Sequence, residues 1–551
     1  MDIRRTILWV IFSFSLLLLW NNWQEYNGKP SLFATPPVNQ EQVAEAKAED
    51  QFVPQVSTSS AQAEPPATSE QSNESEIITV TSDVYQLEFD SLGAQLVRAE
   101  LLNFASPHED QQHMVLLDNS DQSTYVAQSG VIGAADQRYP THLTPFKLVS
   151  KETELLRGDL NIVFEAELDQ VRVTKTYTIT EGSYDIVLSQ KIENLTEHPI
   201  DPSVYLQLTR DGDNPANSSR LYRTYTGPVV YSSADKFQKV DFSDIDKNKA
   251  KYTESSDNGW VGIVQHYFAT AWVPLQGMER TNQLLRVADN LYAVRTILPV
   301  GTIEPGQAKT IDANLWVGPQ DQQAMSAVAE GLDLVVDYGW LTIISKPLFV
   351  LLTWLHSLIG NWGWAIVLLT VLIKLVFYPL SAASYRSMAK MKQVTPRMQA
   401  IREQYKDDRV KQNQAMMELY RTEKINPLGG CLPMLIQIPV FIALYWVLLG
   451  SVEMRGAPWI LWIHDLSARD PWMILPALMM LTMFLQIKLN PTPPDPLQAK
   501  VMMLMPLIFG GMMFFFPAGL VLYWVVNNTL SIAQQQYIMR KLDKETAAAK
   551  A

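Results

Sequence analysis

A single lysine interrupts an apolar segment, and its charge is the clearest candidate for chemistry in this chain. The segment WAIVLLTVLIKLVFYPL covers residues 364–380, about the length of a membrane-spanning helix, and Lys374 is its one charged residue. Two interpretations compete. The flexible side chain could carry the ammonium group past Pro379 to the lipid headgroups. Alternatively, the ammonium faces a wet cavity between helices and acts on an acidic group that enters it.

Uncharged polar residues interrupt the apolar segments as well. Thr370 lies one turn before Lys374 on the same helix face. The other candidates for the same polar surface are Gln437, Gln486, Asn527 and Asn528. Each could simply join two helices by a hydrogen bond, which typically contributes about 1 kcal/mol. Together these residues predict a polar-lined hollow that is open to the cytoplasm. No Asp or Glu occurs within the predicted spans to pair with Lys374, so the hollow suits an acidic group of a bound molecule.

Charge indicates how the apolar spans that hold these residues are oriented. The stretch 380–426 carries ten Lys and Arg residues with five acids, whereas 450–471 carries only two basic residues. Because basic loops stay on the cytoplasmic side, 380–426 is predicted inside and 450–471 outside. Arg4 and Arg5, before the first apolar run, place the N-terminus inside. We expect a multi-pass protein of the bacterial inner membrane, with both termini cytoplasmic and the large domain periplasmic.

The sequence divides into thirteen predicted segments. They are an N-terminal transmembrane anchor at 1–26, a disordered linker at 27–77, a β-sandwich domain at 78–330, an interfacial amphipathic helix at 331–357, spans at 358–379, 427–449, 472–488, 499–516 and 518–538, a helical hairpin at 380–426, loops at 450–471 and 489–498, and a tail at 539–551.

The first half of the chain has the pattern of a β domain. LNIVFEAEL (160–168) and VRVTKTYTIT (171–180) alternate apolar and polar residues, which predicts strands with one buried face. GWVGIVQHYFATAWVP (259–274) is more apolar and predicts a more deeply buried strand pair. Helical patterns are scarce, so we expect a large antiparallel β sandwich. Cys431 is the only cysteine, so an exported domain must be held by its own core.

No enzyme signature accompanies the sandwich. His198, His266 and several acids are scattered through it, without metal-ligand spacing and without an HExxH, GxSxG or P-loop motif. The sandwich is therefore predicted to be a binding domain or a spacer domain. A carbohydrate-type groove on the sandwich stays open as an alternative. We expect no enzymatic activity, no cofactor or metal, and no DNA contact.

The basic stretch between the second and third spans predicts two helices joined near Asp407 and Asp408. The apolar stripes of the two helices contain Met388, Met391, Met398 and Ile401 in the first, and Val410, Met417 and Tyr420 in the second. The basic outer surface serves solubility and orientation, or alternatively it docks nascent chains or ribosomal RNA. Flexible, polarisable methionines suit promiscuous apolar contacts of that kind.

Three segments, NPLGGCLPMLIQIPVFIALYWVL, LWIHDLSARDPWMILPALM and FPAGLVLYWVVNN, resemble the YidC membrane protein insertase family. The resemblance is dense between about residues 340 and 540. It implies a five-helix core whose hydrophilic groove opens to cytoplasm and lipid and is closed to the periplasm. It also implies a groove cation at Lys374, a groove threonine at Thr370 and an aromatic pair at Tyr523 and Trp524.

The resemblance implies an ATP-independent insertase and chaperone for nascent inner-membrane proteins, acting alone or beside Sec translocon components. The expected fold is a polytopic α-helical membrane protein, with a five-helix insertase core and an N-terminal anchor helix, that carries a large periplasmic antiparallel β-sandwich domain. The lipid bilayer is an expected partner, and the short tail after Arg540 predicts only weak, transient ribosome contact. Two other classes stay open: a secondary transporter for a small anion and a structural assembly platform. The absence of a visible inverted repeat disfavours the transporter.

Overall fold

The fold is given by a computed structural model of the chain. It describes residues 54, 75–106, 112–121, 123–133, 137–213, 225–406, 408–423, 432–490 and 496–550. The predicted anchor at 1–26, nearly all of the predicted linker at 27–77, and Cys431 lie outside the described residues.

Within these described residues, eighteen strands form two sheets, in each of which all paired strands are antiparallel. The first sheet has the order β1-β2-β3-β4-β5-β10-β17-β16-β13. Its strands are β1 (Ile77–Thr81), β2 (Tyr85–Asp90), β3 (Gln95–Ala105), β4 (His113–Ser120), β5 (Ser123–Ile132), β10 (Ser203–Asp211), β13 (Ser255–Ser256), β16 (Arg280–Ala288) and β17 (Leu291–Pro299).

The second sheet has the order β12-β11-β14-β15-β18-β9-β8-β7-β6. Its strands are β6 (Lys147–Leu148), β7 (Asp159–Leu168), β8 (Val171–Thr180), β9 (Asp185–Asn194), β11 (Gly227–Ser232), β12 (Lys236–Lys239), β14 (Trp260–Gln265), β15 (Phe268–Pro274) and β18 (Ala308–Pro319). The predicted antiparallel sandwich is therefore confirmed.

The core of the sandwich follows the alternation in the sequence. Every second residue of β8, from Val171 to Ile179, is buried, and the residues between them are partly exposed. β14 and β15 are buried along their whole length, as their continuous apolar pattern predicts. The exception is Lys175, which occupies a core position of β8 with no exposed surface. Its ammonium donates to the carbonyl oxygens of Gly93 and Ser129, both at 2.7 Å.

Two short helices, α1 (Phe242–Asp246) and α2 (Gln322–Val328), and two 3-10 turns accompany the sandwich. The turns cover Leu332–Val335 and Gly339–Leu341. Trp260 and Trp316, on the second sheet, belong to the same apolar cluster as Leu332 and Val335 of the first turn and Leu352 of the next long helix. The sandwich and the helical part of the chain therefore share a continuous apolar core.

Eight longer helices follow in the described part of the chain. They are α3 (Thr342–Ile359), α4 (Trp362–Val376), α5 (Tyr378–Gln404), α6 (Arg409–Thr422), α7 (Leu432–Gly450), α8 (Ile474–Leu489), α9 (Pro496–Met513) and α10 (Ala518–Lys550). The bounds of several helices differ from the predicted segments. The helix predicted at 331–357 begins only at Thr342, after the two 3-10 turns. α9 begins within the predicted loop at 489–498, and α10 continues through the predicted tail.

The helices have the surface of membrane-embedded elements. α3 is by itself long and apolar enough to cross a membrane, while α8 and the apolar part of α9 are shorter. Large apolar side chains are exposed on successive turns of α8 and α9, among them Leu481, Leu485, Leu504 and Ile508. Such a surface is costly in water but suits lipid.

α4 ends early because the chain bends. α4 and α5 meet at an angle of 66° across Phe377, and Pro379, near the start of α5, has no backbone N–H to extend the ladder of α4. α4 has 15 residues, about 22 Å at roughly 1.5 Å per residue, which is less than the roughly 30 Å of a typical hydrocarbon core. The Lys374 ammonium therefore lies in the last turn of a short helix.

α5 and α6 form a hairpin, and its contacts show that the apolar stripe predicted for α6 is partly wrong. Val394 and Met398 are buried, and Met391, Met416, Leu419 and Tyr420 pack against them. Met388 is half-buried. Met417 and Val410, predicted to face inward, are each 68% exposed, because Met416 and Leu419 occupy the inner face of α6 instead. A shift of one residue rotates a helical side chain by about 100°.

Candidate functional site

Lys374 and Ser531 connect α4 to α10. The Lys374 ammonium donates to Ser531 Oγ at 2.7 Å, and Ser531 Oγ donates in turn to the backbone oxygen of Asn527 at 2.7 Å. From α5, the Tyr385 hydroxyl donates to the Ser531 carbonyl oxygen at 3.4 Å. Within the residues that the structure describes, Lys374 forms no ion pair with a carboxylate. Its charge is therefore held by a hydrogen bond but not neutralised.

Gln437 connects α7 to the same helix. Its side-chain amide donates to Asn527 Oδ1, so two of the predicted site residues are in direct contact. Asn527 is buried and Gln437 half-buried. Asn527 thus bonds to Gln437 through its side chain and to Ser531 through its backbone, which links the α7 contact to the lysine.

A second row of polar contacts joins α10 to α8. Asn528 donates to Thr482 Oγ1 at 3.4 Å. Gln486 donates to Gln535 Oε1 at 2.5 Å, and Gln535 donates to Asn490 Oδ1 at 3.2 Å. Asn528 and Gln486, both predicted site residues, therefore line the α8 side of α10 and not the Lys374 side.

The aromatic pair forms an apolar layer beside these polar groups. Tyr523 is buried and stacks with Phe441 of α7 at 6.2 Å between ring centroids. Trp524 is half-buried between Phe441 at 4.6 Å and Phe509 of α9 at 5.4 Å. The pair packs α10 against α7 and α9, one turn before Asn527 and Asn528.

Thr370 departs from the prediction that it lines the groove. Its side chain has no exposed surface, and its hydroxyl donates to the Ile366 carbonyl oxygen of its own helix at 2.7 Å. Threonines in membrane helices commonly satisfy their hydroxyl in this way. Although Thr370 shares a helix face with Lys374, it is packed one turn deeper in the bundle.

The end of the helix bundle at which α10 begins is closed by the segment between α7 and α8. The backbone N–H groups of Ala518 and Gly519, at the start of α10, donate to the carbonyls of Ala468 and Leu466 at 2.7 and 2.9 Å. The carboxylate of Asp470, which is buried, accepts from the Leu475 backbone N–H at 2.7 Å. The start of α10 is therefore held by a hydrogen-bonded cover, and its polar contacts with α4, α7 and α8 lie further along the helix.

α10 is the common partner of these contacts. Its polar side chains bond to α4, α7 and α8, and its backbone accepts from α5. The arrangement offers one cation and several amides and hydroxyls, which can solvate a polar chain segment and attract an acidic one. Across the described part of the chain, no cluster of three or more His, Cys, Asp or Glu side chains is placed to hold a metal.

The site residues predicted from the sequence do not include Ser531 or Gln535. Ser531 follows Asn527 by four residues and Gln535 follows Asn528 by seven, so each lies on the face of a predicted site residue. Helical spacing from Asn527 and Asn528 was therefore the signal that could have identified them.

The fold and these contacts define a class of protein, a polytopic α-helical membrane protein with a large antiparallel β sandwich. The family described as 60Kd inner membrane protein matches residues 354–545, and the YidC periplasmic domain matches residues 77–351. The membrane protein insertase YidC of Bordetella pertussis is 64% identical over 560 residues, covering 100% of both chains. That of Paraburkholderia phytofirmans is 50% identical over 556 residues, again covering 100% of both.

The chain belongs to the YidC family of membrane protein insertases, and its β sandwich is the family's periplasmic domain. Among solved structures, it is similar to a crystal structure of an active YidC insertase with the first transmembrane domain resolved. That chain is 19% identical, with 85% of this chain and 92% of that chain covered and a TM-score of 0.37.

Proposed function

We propose that this protein inserts and helps to fold nascent inner-membrane proteins by giving their polar tails a hydrated path along α10. The observation that supports this proposal most strongly is that the Lys374 ammonium donates to Ser531 and lies among uncharged polar groups. In this proposal Lys374 attracts acidic residues of the client tail. Gln437 and Asn527 exchange their mutual hydrogen bond for bonds to the client.

The physical reason is the cost of moving charge through hydrocarbon. A charged side chain at the centre of a bilayer costs about 3 kcal/mol or more. The short α4 supports the proposal, because a helix of about 22 Å favours a thinned bilayer and so a shorter path. The client's apolar helix then moves into lipid, which is favourable and requires no nucleotide.

Exposed methionines offer a surface for that helix. Met503, Met505 and Met512 of α9 are between 41% and 55% exposed. Their flexible thioether chains adapt to helices of different shape. The alternative is that these methionines contact only lipid.

We further propose that both termini and the α5–α6 hairpin are cytoplasmic and that the protein acts alone or beside the Sec translocon. Ribosome contact is weak and transient in this proposal, and the protein catalyses no covalent reaction. The basic composition of 380–426 supports the orientation.

The test is reconstitution of the full-length protein, alone, in liposomes. A single-span client with a short acidic tail is added, and insertion is scored as protection of the tail from external protease. Protein-containing liposomes should protect the tail well above the level of protein-free liposomes. Insertion equal to that of protein-free liposomes would contradict autonomous activity and favour an assembly platform. Ion conductance in planar bilayers would instead indicate a channel.

A further inference from the structure

Ser531 is the described side chain that accepts a hydrogen bond from the Lys374 ammonium. Its hydroxyl has one hydrogen, and that hydrogen is committed to the Asn527 carbonyl at 2.7 Å. The oxygen therefore turns its lone pairs outward, and one of them receives the Lys374 ammonium at 2.7 Å. The backbone at Ser531 is itself held from α5 by the Tyr385 hydroxyl.

An uncharged acceptor at this position has a consequence for the client. A carboxylate there would neutralise Lys374, and an acidic tail would have to displace it. A hydroxyl instead fixes the side chain while leaving the net charge of the site at +1. The ammonium also retains two further N–H donors for a visiting carboxylate.

We propose that Ser531 is a positioning residue that holds the Lys374 ammonium toward α10 and thereby sets the preference of the site for acidic client tails. This inference rests on the proposed function. Lys374 makes the contact with the client, and Ser531 acts through it.

Thr529 provides a matched control on the same helix. Its hydroxyl also donates to a carbonyl four residues earlier, Val525 at 2.7 Å, as the Ser531 hydroxyl does to Asn527. Thr529 is exposed, whereas Ser531 is half-buried against α4. Removing either hydroxyl deletes the same bond within the helix, but only Ser531 also holds Lys374.

The experiment compares two clients that differ only in tail charge, one acidic and one with the acids replaced by Asn and Gln. The full-length protein is reconstituted alone in liposomes, and the ratio of acidic to neutral insertion rates is measured. Ser531→Ala should lower this ratio roughly three- to tenfold, the range expected for one hydrogen bond within a membrane protein. Ser531→Thr keeps the hydroxyl and should retain most of the ratio, and Thr529→Ala should leave it unchanged.

A purely structural role makes a different prediction, because a weakened helix bundle slows both clients in parallel. An unchanged ratio for Ser531→Ala would therefore overturn the inference, whatever happens to the individual rates. Lys374→Ala separates this failure from that of the proposed function. A low ratio for Lys374→Ala with a normal ratio for Ser531→Ala refutes only the positioning role. A normal ratio for both variants refutes the groove cation as well.

Discussion

Glu453 lies in the 3-10 turn Val452–Met454, at the start of the segment between α7 and α8 that closes one end of the bundle. Its Oε2 atom is buried and has no hydrogen-bond donor within the described residues. Burial raises the pKa of Glu453 to about 7 from the ordinary value of 4.5, and the charge of Asp321 adds to the effect. At neutral pH and above, folding therefore keeps a carboxylate in an environment that disfavours its charge.

The sign and size follow from proton linkage. Between pH 4.5 and about 7, the folded state binds more protons at Glu453 than the unfolded state, so its contribution to stability falls as the pH rises. The two pKa values differ by about 2.5, which at about 1.4 kcal/mol per pH unit corresponds to about 3 kcal/mol. Glu453→Gln removes the ionisable group at nearly constant volume. It should raise stability at pH 8 and have little effect near pH 4.5.

The assay is thermal unfolding of the full-length protein in nanodiscs, followed by tryptophan fluorescence at one fixed heating rate. At pH 8 the apparent Tm of Glu453→Gln should exceed that of wild type by roughly 3 °C. Near pH 4.5 the two should agree. Glu254→Gln, at an exposed position of the β sandwich, is the control and should change neither value. An equal change at both pH values, or a lower Tm at pH 8, would refute the reasoning.

Two further predictions concern packing. A Cβ on Gly363 would lie 2.2 Å from the Trp459 ring, so Gly363→Ala should lower the apparent Tm, at a cost of about 1–3 kcal/mol. Gly511→Ala, which meets nothing within 4 Å, should be neutral or stabilising by up to about 1 kcal/mol, and equal effects of the two would contradict this packing. In the hairpin, Met398→Ser should increase proteolysis between α5 and α6, because Met398 is buried, whereas Met417→Ser should not. An increase for Met417→Ser as large as that for Met398→Ser would contradict this packing and favour the stripes predicted from the sequence, in which both residues face inward.

The sequence predicted the sandwich well because its strands alternate regularly. The period-two patterns of β7 and β8 determine which residues are buried, and the apolar run at 259–274 corresponds to two strands covered on both faces. Lys175 could not be predicted as a core residue. Its burial depends on two backbone carbonyls, of Gly93 and Ser129, that only the tertiary fold brings to it.

The polar site was predicted in part. Polar residues are easy to recognise within apolar spans, and Lys374, Gln437 and Asn527 were identified in this way. Which of them meet could not be predicted, since partner choice depends on the rotation of each helix about its axis. Rotation explains the error at Met417, which faces outward, whereas Thr370 shares the helix face of Lys374 and is buried because it lies one turn deeper in the bundle.

The most direct test of the groove cation is insertion of the acidic-tailed client by wild type, Lys374→Ala and Lys374→Glu, each reconstituted alone in liposomes. Lys390, exposed on α5, provides the control pair Lys390→Ala and Lys390→Glu. If Lys374 attracts the tail, Ala should slow insertion by roughly tenfold and Glu should abolish it, because a like charge then faces the client. Both Lys390 variants should insert as wild type does. Wild-type rates for both Lys374 variants would contradict the account and leave hydration alone to carry the client tail.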